Sequence, residues 1–411
     1  MSTGKFQAPR GTHDVLPGEN LWWHVVRTME EQALLYGWRR IQTPGFEDTA
    51  LFARTSGAAS DVVNKEMYTF NDRSDRSLTL RPEGTAPIAR AYVEHGLHRE
   101  PQPVKAYTIA PMYRYGAPGR GRYREHWQLS LEAIGSAGPA VDAEVIEFYV
   151  ELLRRLGVTE WELRLNSIGD SNCRPQYVER LNAWLDEHDD VLDDDARHKR
   201  ATSPLQVFDV KNPALRAELA AAPKIGESLC DECREHFDGL RRLLDAVGIP
   251  YVVDAALVRG LDYYTRTTFE FVGPEENVNS TICGGGRYDG LVEAIGGPST
   301  PGIGFGAGLE RLLLAIEREG VQVEAPALDV FLVADGVKPE RVLELMARLR
   351  RDGVSCDTDY AGRSLRGQEK LVDRLRPRNT LTVRDDGLVL KPWGRPSAPV
   401  SEADLLARLR A

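Results

Sequence analysis

The sequence is poor in cysteine and has no long apolar run. Its five cysteines among 411 residues are an odd and sparse set, which argues against the disulfide framework of a small secreted protein. No apolar run approaches the roughly 18 residues that a membrane-spanning helix needs. Residues 1–11 show neither an apolar core nor a cleavage site, so we expect no signal peptide, a cytoplasmic location and reduced thiols.

A complete set of metal ligands is also missing from the spacing of cysteine and histidine. Cys230 and Cys233 form a Cys-X-X-Cys pair that is followed by His236, which resembles half of a zinc site. A structural zinc site needs four ligands, and no second Cys or His pair stands at ligand spacing. Buried or incidental thiols are therefore favoured, and we expect no metal bound by the protein itself.

Glycine-rich loops that hold nucleotides are absent as well. No GxxxxGK[ST] pattern occurs, so side chains must hold any nucleotide. Residues 302–307 (GIGFGA) match a loose GxGxxG/A pattern, but Gln322 and Val323 stand where a Rossmann fold places its acid. Without that acid and a βαβ frame, a dinucleotide site is disfavoured.

The chain as a whole lacks a positive net charge, since 52 Lys and Arg stand against 62 Asp and Glu and give a formal net charge of −10. This alone speaks against a nucleic-acid partner. From residue 325 onward, however, 16 Lys and Arg stand against 13 Asp and Glu, whereas the rest has 36 against 49. A local cluster of cations suited to phosphates faces only Glu369 and Asp373. It comprises Arg363, Arg366, Lys370, Arg374, Arg376 and Arg378. A solvated helix face is the alternative for this cluster.

The length of the chain predicts two domains and an inserted segment. Residues 21–36 have apolar residues at helical spacing. Strand-like stretches at residues 77–81, 104–109, 128–134 and 162–165 are separated by Pro and Gly clusters. Frequent strands with few βαβ repeats predict an α+β main domain with a mixed, mainly antiparallel sheet flanked by helices.

Two further segments differ in pattern from this main domain. Residues 181–200 are helical in pattern and rich in acids, which predicts an exposed helical insertion at residues 171–237. The main domain then comprises residues 1–170 and 238–322. After a linker at residues 320–327, a small α/β domain at residues 327–411 has strands at 328–334, 354–358, 380–384 and 388–391 and helices at 340–351 and 365–375.

Residues 257–270 (LVRGLDYYTRTTFE) combine an arginine, two adjacent tyrosines and acids with an alternating apolar run. Residues 267–271 predict a strand by their β-branched and aromatic content. Arg259, Tyr263 and Tyr264 then stand on the turn before it, where their polar ends can converge on a ligand. The alternative is an edge strand with a surface arginine.

Three more blocks place charged groups at the ends of predicted strands. Arg114 and Arg122 flank a glycine-rich loop in a predicted hairpin, and guanidinium groups bind phosphate oxygens in a bidentate manner. A glycine-rich turn at residues 302–306 leads into a helix whose first turn presents Arg311 to an anion. Residues 78–86 (LTLRPEGTA) add a carboxylate and a hydroxyl where an ammonium group can dock.

Taken together in their order along the chain, these blocks resemble the histidyl-tRNA synthetases, a family of class II aminoacyl-tRNA synthetases. Residues 257–270 are similar to the family's histidine-binding signature, the hairpin to motif 2 and the glycine-rich block to motif 3. Residues 11–17 (GTHDVLP) and 284–290 (GGGRYDG) also match, so the resemblance spans about residues 9–320. It implies that the main domain is catalytic and that the C-terminal α/β domain binds the anticodon.

The resemblance also implies a role for each matching residue. The implied histidine-binding residues are Glu83, Thr85 and Gln128 at the α-amino end, Glu132, Tyr264 and Tyr288 at the imidazole, and Arg259 and Tyr263. The implied ATP-binding residues are Arg114, Arg122 and Arg311, with Mg²⁺ carried by ATP. Arg114 and Arg259 are implied to be catalytic at the α-phosphate. The implied contacts to tRNA are Arg363, Arg366 and Lys370.

The family's activity implies a histidine–tRNA ligase. Histidine and ATP would give histidyl-adenylate and pyrophosphate, and the histidyl group would then pass to the 3′ end of tRNA(His). The implied partners are histidine, ATP, tRNA(His) and a second copy of the chain in a homodimer, with motif 1 around residues 39–52 near the interface. No membrane partner is implied.

The hairpin loop departs from the family pattern. Gly116 and Ala117 stand where the family usually has an acid and an arginine, and Gly119 replaces a usual glutamine. These departures support a second interpretation, a non-catalytic histidine-binding paralogue that regulates ATP phosphoribosyltransferase. Three phosphate-directed arginines and a basic C-terminal domain favour the ligase, and a generic RNA-binding module is favoured least.

Overall fold

The computed structural model describes residues 6–55, 57, 60, 62–210, 212–274, 281–325 and 327–410. Some parts of the sequence predictions lie outside the described residues. They include residues 1–5, within the segment in which no signal peptide is predicted, and Pro326 of the predicted linker. The chain divides into two compact units, Met1–Val323 and Glu324–Ala411. Within the described residues, no helix has the length and apolarity to cross a bilayer.

The elements of the two units are as follows. The helices of the first unit are α1 (Asn20–Leu35), α2 (Thr49–Thr55), α3 (Thr85–Glu94), α4 (Pro139–Arg155), α5 (Arg174–Glu187), α6 (Asp194–Thr202), α7 (Pro213–Leu219), α8 (Asp231–Ala246), α9 (Leu291–Ala294) and α10 (Leu309–Arg318). Its strands are β1 (Arg39–Arg40), β2 (Phe46–Asp48), β3 (Tyr68–Asn71), β4 (Ser77–Leu80), β5 (Val104–Tyr113), β6 (Glu125–Ile134), β7 (Glu162–Ser167), β8 (Val252–Val253), β9 (Thr265–Val272), β10 (Thr281–Arg287) and β11 (Gly302–Gly308). The second unit has β12 (Val330–Ala334), α11 (Pro339–Arg351), β13 (Cys356–Thr358), α12 (Leu365–Leu375), β14 (Asn379–Arg384), β15 (Gly387–Pro392), β16 (Ala398–Val400) and α13 (Leu405–Arg410).

The main sheet runs in the order β1-β5-β6-β11-β10-β9-β7-β8. Neighbours from β5 to β7 in this order are antiparallel, and the edge pairs β1–β5 and β7–β8 are parallel. The hairpin β5–β6 pairs continuously from Val104 opposite Ile134 to Tyr113 opposite Glu125. The prediction of a mixed, mainly antiparallel sheet flanked by helices is therefore confirmed.

The two faces of this sheet differ because side chains alternate along each strand. In β6, Leu129 and Leu131 join the apolar core, while Gln128 and Glu132 belong to the opposite face. In β11, Phe305 is likewise in the core, and the alternate positions are glycines. The prediction of a glycine-rich turn before α10 is wrong, because these glycines belong to the central strand β11. Since they have no side chains, they leave space for a cleft on the second face of the sheet.

Helices cover the apolar face of the main sheet. Val25 of α1, Phe148 of α4 and Leu312 of α10 are fully buried in one cluster with the strands. Burying a side chain of this size contributes about 1.5–3 kcal/mol each. A smaller cluster packs α3 and α9 together through Ile88 and Val292.

Between β7 and α8 the chain forms a helical insertion, defined here as α5 to α7, with an apolar cluster of its own. The prediction of a single helical stretch at residues 181–200 is wrong. This stretch contains the end of α5 and most of α6, and the chain turns between them at Asp189–Val191. Asp193 caps α6 by accepting a hydrogen bond from the Ala196 N–H at 2.9 Å. Acids at a helix start are favourable, so the acidic run begins a second helix.

The second unit has a sheet in the order β13-β12-β14-β15-β16. Alternate residues of β12 reach opposite faces: Leu332 packs in a cluster with Met346 of α11, and Phe331 packs with Val372 of α12. Helices thus cover both faces of the sheet. The predicted small C-terminal α/β domain is confirmed in its architecture.

Candidate active site

A cleft of about 440 Å³ opens on the glycine-lined face of the main sheet. Most residues that were implied to bind substrates line it, namely Glu83, Thr85, Arg114, Arg122, Gln128, Arg259, Tyr263, Tyr264 and Arg311. Glu132 and Tyr288 are not part of the lining and are almost completely buried beside it. Separated blocks of sequence therefore meet at one place in the fold.

Glycine backbones make room for two of these side chains. A Cβ atom on Gly284 would lie 2.4 Å from Arg259 Nη1, and one on Gly304 would lie 1.9 Å from Glu132 Oε2. Both distances are far below van der Waals contact, so a larger residue would displace the neighbouring group. The glycines of β10 and β11 thus position an arginine and an acid.

Two arginines of the β5–β6 hairpin share one acid in the cleft. Glu66 lies 3.2 Å from Arg122 and 4.0 Å from Arg114, measured between Oε and Nη atoms. Arg114 Nε also donates a hydrogen bond to the Pro82 carbonyl at 2.7 Å. Opposite them, Arg311 Nη1 donates to the Thr281 carbonyl at 2.8 Å. These contacts orient the guanidinium groups while leaving other N–H donors for a ligand.

Several arginines lie close together in the cleft and act on one another electrostatically. Burial, and then the charges of Arg122 and Arg114, lower the pKa of Arg311, with Arg259 acting in the same direction. Burial, and then Arg114 and Arg311, lower the pKa of His126 to about 3, so this imidazole is neutral at pH 7. Like charges in a poorly hydrated site repel one another, and a bound anion would relieve that repulsion.

Arg259 has a different partner from the other arginines. Its Nη1 forms an ion pair with Glu270 of β9, and its guanidinium carbon lies 6.0 Å from the centre of the Tyr264 ring. Burial alone would lower the pKa of Arg259, but Glu270 raises it. Arg259 lines the cleft, while its Nε is buried and has no hydrogen-bond partner among the described residues.

Glu132 lies at the bottom of a hydroxyl-rich corner. Thr85 Oγ1 donates to its Oε1 at 2.7 Å, and the Tyr288 hydroxyl donates to its Oε2 at 2.5 Å. The Tyr263 ring lies between Tyr264 and Tyr288, with ring centres 4.6 and 5.9 Å away. Burial raises the pKa of Glu132 to about 8, although both hydrogen bonds oppose that rise.

The raised pKa of Glu132 predicts a pH-dependent stability. Between its ordinary value of 4.5 and about 8, the unfolded chain releases a proton that the folded chain retains. The stabilisation is therefore complete below pH 4.5 and is lost as pH rises through 8, with a slope of up to about 1.4 kcal/mol per pH unit. Urea unfolding of the ligand-free protein across this range should show that slope, and Glu132→Gln should remove it. The exposed-acid variant Glu235→Gln should retain it, and identical curves for all three proteins would contradict the prediction.

Glu83 has a structural contact in addition to its place in the cleft. Its carboxylate accepts hydrogen bonds from the backbone N–H groups of Thr85 at 2.6 Å and Ala86 at 2.9 Å. It therefore caps the start of α3, where a negative charge is favourable. Burial raises the pKa of Glu83, and the two amides hold its carboxylate at the cleft wall.

Several cleft residues carried no signal in the sequence. Glu66 and His126 are single polar residues without a pattern, and both line the cleft. The helical insertion contributes Asp195 and Lys199 to the lining, which pair with each other at 3.1 Å. Only the folding of the insertion against the main sheet brings them there, so sequence spacing could not have found them.

Other predicted residues lie away from the cleft. Arg363, Arg366 and Lys370 are exposed in the second unit, on α12 and directly before it. Arg363 forms an ion pair with Asp359, which reduces the net charge of the predicted basic cluster. His236 lies apart from the thiols that precede it and contacts Asp142 instead, with Nε2 2.9 Å from Oδ2.

The chain is similar to known proteins over nearly its whole length. Residues 11–312 match a family model described as histidyl-tRNA synthetase. The histidine–tRNA ligase of Caldanaerobacter subterraneus subsp. tengcongensis is 46% identical over 389 residues, covering 94% of this chain and 93% of that protein. The crystal structure of apo S. aureus histidyl-tRNA synthetase is 36% identical with a TM-score of 0.83, covering 99% of this chain and 100% of that one.

One structure bears on the regulatory alternative. A protein of Bacillus halodurans C is described as an ATP phosphoribosyltransferase regulatory subunit/histidyl-tRNA synthetase. It is 22% identical with a TM-score of 0.66, covering 93% of this chain and 99% of that one. At this identity the similarity concerns the fold alone, whereas the ligase relatives are similar in sequence as well.

Proposed function

The chain belongs to the histidyl-tRNA synthetase family, and we propose how the residues of its cleft perform the two steps of that reaction. The protein is a histidine–tRNA ligase, and ATP is its second substrate. In the first step, a carboxylate oxygen of histidine attacks the α-phosphorus of ATP, and pyrophosphate leaves. In the second step, the 3′-terminal ribose hydroxyl of tRNA(His) attacks the histidyl carbonyl, and AMP leaves.

The observation that carries this mechanism is the group of cleft arginines whose like charges repel one another. Arg122 and Arg311 would hold the outer phosphates, because the negative charge of a triphosphate would relieve the repulsion between these two arginines. Charge-assisted hydrogen bonds of this kind contribute on the order of 1.5–3 kcal/mol each. The hairpin and α10 would thus grip ATP from two sides.

Arg114 and Arg259 would act at the reacting phosphorus. Negative charge builds up on the α-phosphate oxygens as the carboxylate approaches, and fixed cations stabilise that charge without reorganising. Arg259 lines the cleft, and the ion pair of its Nη1 with Glu270 orients the guanidinium for this contact. Two arginines in one poorly hydrated cleft would also align the carboxylate with the phosphorus.

The corner around Glu132 would recognise the imidazole ring. Imidazole has one donor and one acceptor nitrogen, and Glu132 with the Tyr264 and Tyr288 hydroxyls provides both kinds of partner. An apolar analogue would offer no ring nitrogen to these polar groups, and a site that hydrogen-bonds its substrate discriminates by roughly 10⁴ or more. The Tyr263 ring packs between Tyr264 and Tyr288 in this corner. At the other end of the amino acid, Glu83, Thr85 and Gln128 would bind the ammonium group.

Mg²⁺ would enter the cleft on the phosphates of ATP and neutralise part of their charge. Magnesium keeps several waters and needs only one or two carboxylates besides phosphate oxygens. Glu66 lies beside Arg114 and Arg122. This arrangement suits an ion delivered by the nucleotide rather than a site built by the protein.

The second unit would bind the anticodon stem of tRNA(His). Arg366 and Lys370 lie four residues apart on α12, so they share one face of the helix, and Arg363 precedes them. Exposed cations in this arrangement suit contacts to RNA phosphates. Residues 327–411 would then form the anticodon-binding domain, and residues 1–170 with 238–322 the class II catalytic domain.

A second copy of the chain would complete the assembly in the cytoplasm, where ATP and tRNA are available. Motif 1, around residues 39–52, would lie near the interface of this homodimer. Phe46 and Phe70 support this placement, because both are exposed and their rings lie 6.2 Å apart on the small sheet β2-β4-β3. Exposed aromatic pairs of this kind favour a protein partner.

The deciding experiment is histidine-dependent exchange of radiolabelled pyrophosphate into ATP. We expect exchange only when histidine is present, followed by transfer of labelled histidine to tRNA(His) in a second assay. Reactions without histidine, or with another amino acid, are the controls. A protein that binds histidine but catalyses no exchange would instead fit the regulatory interpretation, and the adenylation mechanism would be rejected.

A further inference from the structure

We propose that Asp170, Cys173, Cys230 and Cys233 bind a structural zinc ion that fastens both ends of the helical insertion to the main sheet. Asp170 follows β7, and Cys173 directly precedes α5, where the insertion begins. Cys230 and Cys233 stand at the start of α8, where the insertion ends. One ligand atom from each side chain lies within 4.8 Å of all the others.

The distances within this cluster match a tetrahedral zinc site. Zn–S bonds of about 2.3 Å and Zn–O bonds of about 2.0 Å place two sulfurs about 3.8 Å apart, and a sulfur and an oxygen about 3.5 Å apart. Cys173 Sγ lies 3.9 Å from Cys233 Sγ. Asp170 Oδ1 lies 3.6 Å from Cys173 Sγ and 3.8 Å from Cys230 Sγ. The four side chains therefore enclose a space of the size that the ion needs.

The local backbone also favours thiolate ligands. Gly169 has a φ of 65°, and a Cβ atom on it would lie 2.6 Å from Cys173 Sγ, so glycine is required in this turn. The Asp170 N–H points at Cys173 Sγ, 3.4 Å away. Cys230 is the N-cap residue of α8, and the positive end of a helix stabilises thiolates.

Three thiols and a carboxylate select zinc among the common ions. Magnesium and calcium prefer oxygen ligands, whereas zinc takes four N, S or O ligands in a closed structural site. Three thiolates and a carboxylate outweigh the charge of one Zn²⁺, and Arg266 offsets part of the excess, since its Nη2 lies 3.3 Å from Asp170 Oδ2. Such an outer contact also orients the ligand.

The zinc site would support the candidate active site without taking part in the chemistry. Arg174, next to Cys173, donates hydrogen bonds to the Gly169 carbonyl at 3.2 Å and to the Tyr264 carbonyl at 2.7 Å. The Arg266 N–H also donates to the Gly169 carbonyl, at 2.7 Å. The turn that holds the ligands is thus bonded to the backbone of a cleft tyrosine.

The test is the metal content of the full chain, purified without a chelating tag or column. Inductively coupled plasma mass spectrometry should find one zinc ion per chain. A mercurial reagent should release the zinc after it has modified three thiols, as followed with a zinc-sensitive dye. Cobalt exchanged into the protein should show a thiolate-to-metal charge-transfer band of a tetrahedral site.

Variants then locate the zinc. Cys173→Ser and Cys233→Ser should each lose most of the metal and unfold at a lower temperature, whereas Cys356→Ser, a buried cysteine of the second unit, should keep it. If either variant fails to fold, the thiol titration of the wild-type protein still decides. Zinc-free protein with five reactive thiols, or alkylation that shows a disulfide, would overturn the proposal. Zinc retained by both cluster variants would overturn it too.

Discussion

Arg259→Ala is expected to lower histidine-dependent pyrophosphate exchange by at least about 10²-fold, the scale on which one fixed donor acts at a developing charge. The affinities for ATP and histidine should change far less, because Arg114, Arg122 and Arg311 remain for the phosphates. A loss confined to the rate would show that the interaction forms mainly in the transition state. The measurements are exchange kinetics together with calorimetric binding of each substrate.

The ion pair with Glu270 complicates this variant, and a second variant resolves it. Removing Arg259 leaves the Glu270 carboxylate, which is four-fifths buried, without its cation. The double variant Arg259→Ala/Glu270→Gln removes the unpaired charge, so a structural defect should be relieved while exchange stays low. Arg241→Ala, an exposed arginine of α8 paired with Asp238, should behave as the wild type. Near-normal exchange in the double variant would exclude the catalytic role of Arg259.

The main sheet could be predicted because its strands carry their own signals. In β6, apolar Leu129 and Leu131 alternate with polar Gln128 and Glu132, a period that only a strand can place on two faces. The same alternation predicts that Gln128 and Glu132 lie on one face. The resemblance to a family supplied their roles, and the sheet then explains why blocks far apart in sequence meet at one cleft.

What could not be predicted depends on contacts between distant segments. Glycine weakens a strand in isolation, so residues 302–306 indicated a turn. The strand is held by its pairing with β6 and β10, and its glycines leave the space that Glu132 and Gln128 of β6 occupy. Cys173 is separated by 60 residues from Cys233, so no spacing rule links them. A lone cysteine carries no signal until the fold brings it to its partners.

Asp142→Asn is expected to destabilise the first unit by about 3 kcal/mol, the lower end of the cost of breaking a buried ion pair, because Arg287 keeps its contact with Asp289 at 3.0 Å. Asp142 accepts hydrogen bonds from Arg287 Nη2 at 2.6 Å, Arg287 Nε at 3.0 Å and Thr267 Oγ1 at 2.7 Å, and it contacts His236. Burial alone would raise the pKa of Asp142, but His236 and Arg287 lower it. One carboxylate therefore joins α4, α8, β9 and β10. Denaturant unfolding followed by tryptophan fluorescence measures the change, since six of the seven tryptophans precede residue 324.

The same substitution at an exposed aspartate separates burial from charge. Asp238, on α8, pairs with Arg241 at 3.5 Å, and its side chain is 47% exposed, so Asp238→Asn should change the free energy of unfolding by less than about 1 kcal/mol. Arg287 directly precedes Tyr288, whose hydroxyl donates to Glu132, so Asp142→Asn should also weaken histidine binding in whatever protein remains folded. A loss of stability without a weaker histidine affinity would show that the buried network holds the sheet but does not position Tyr288. Equal effects of the two substitutions on stability would contradict the argument from burial.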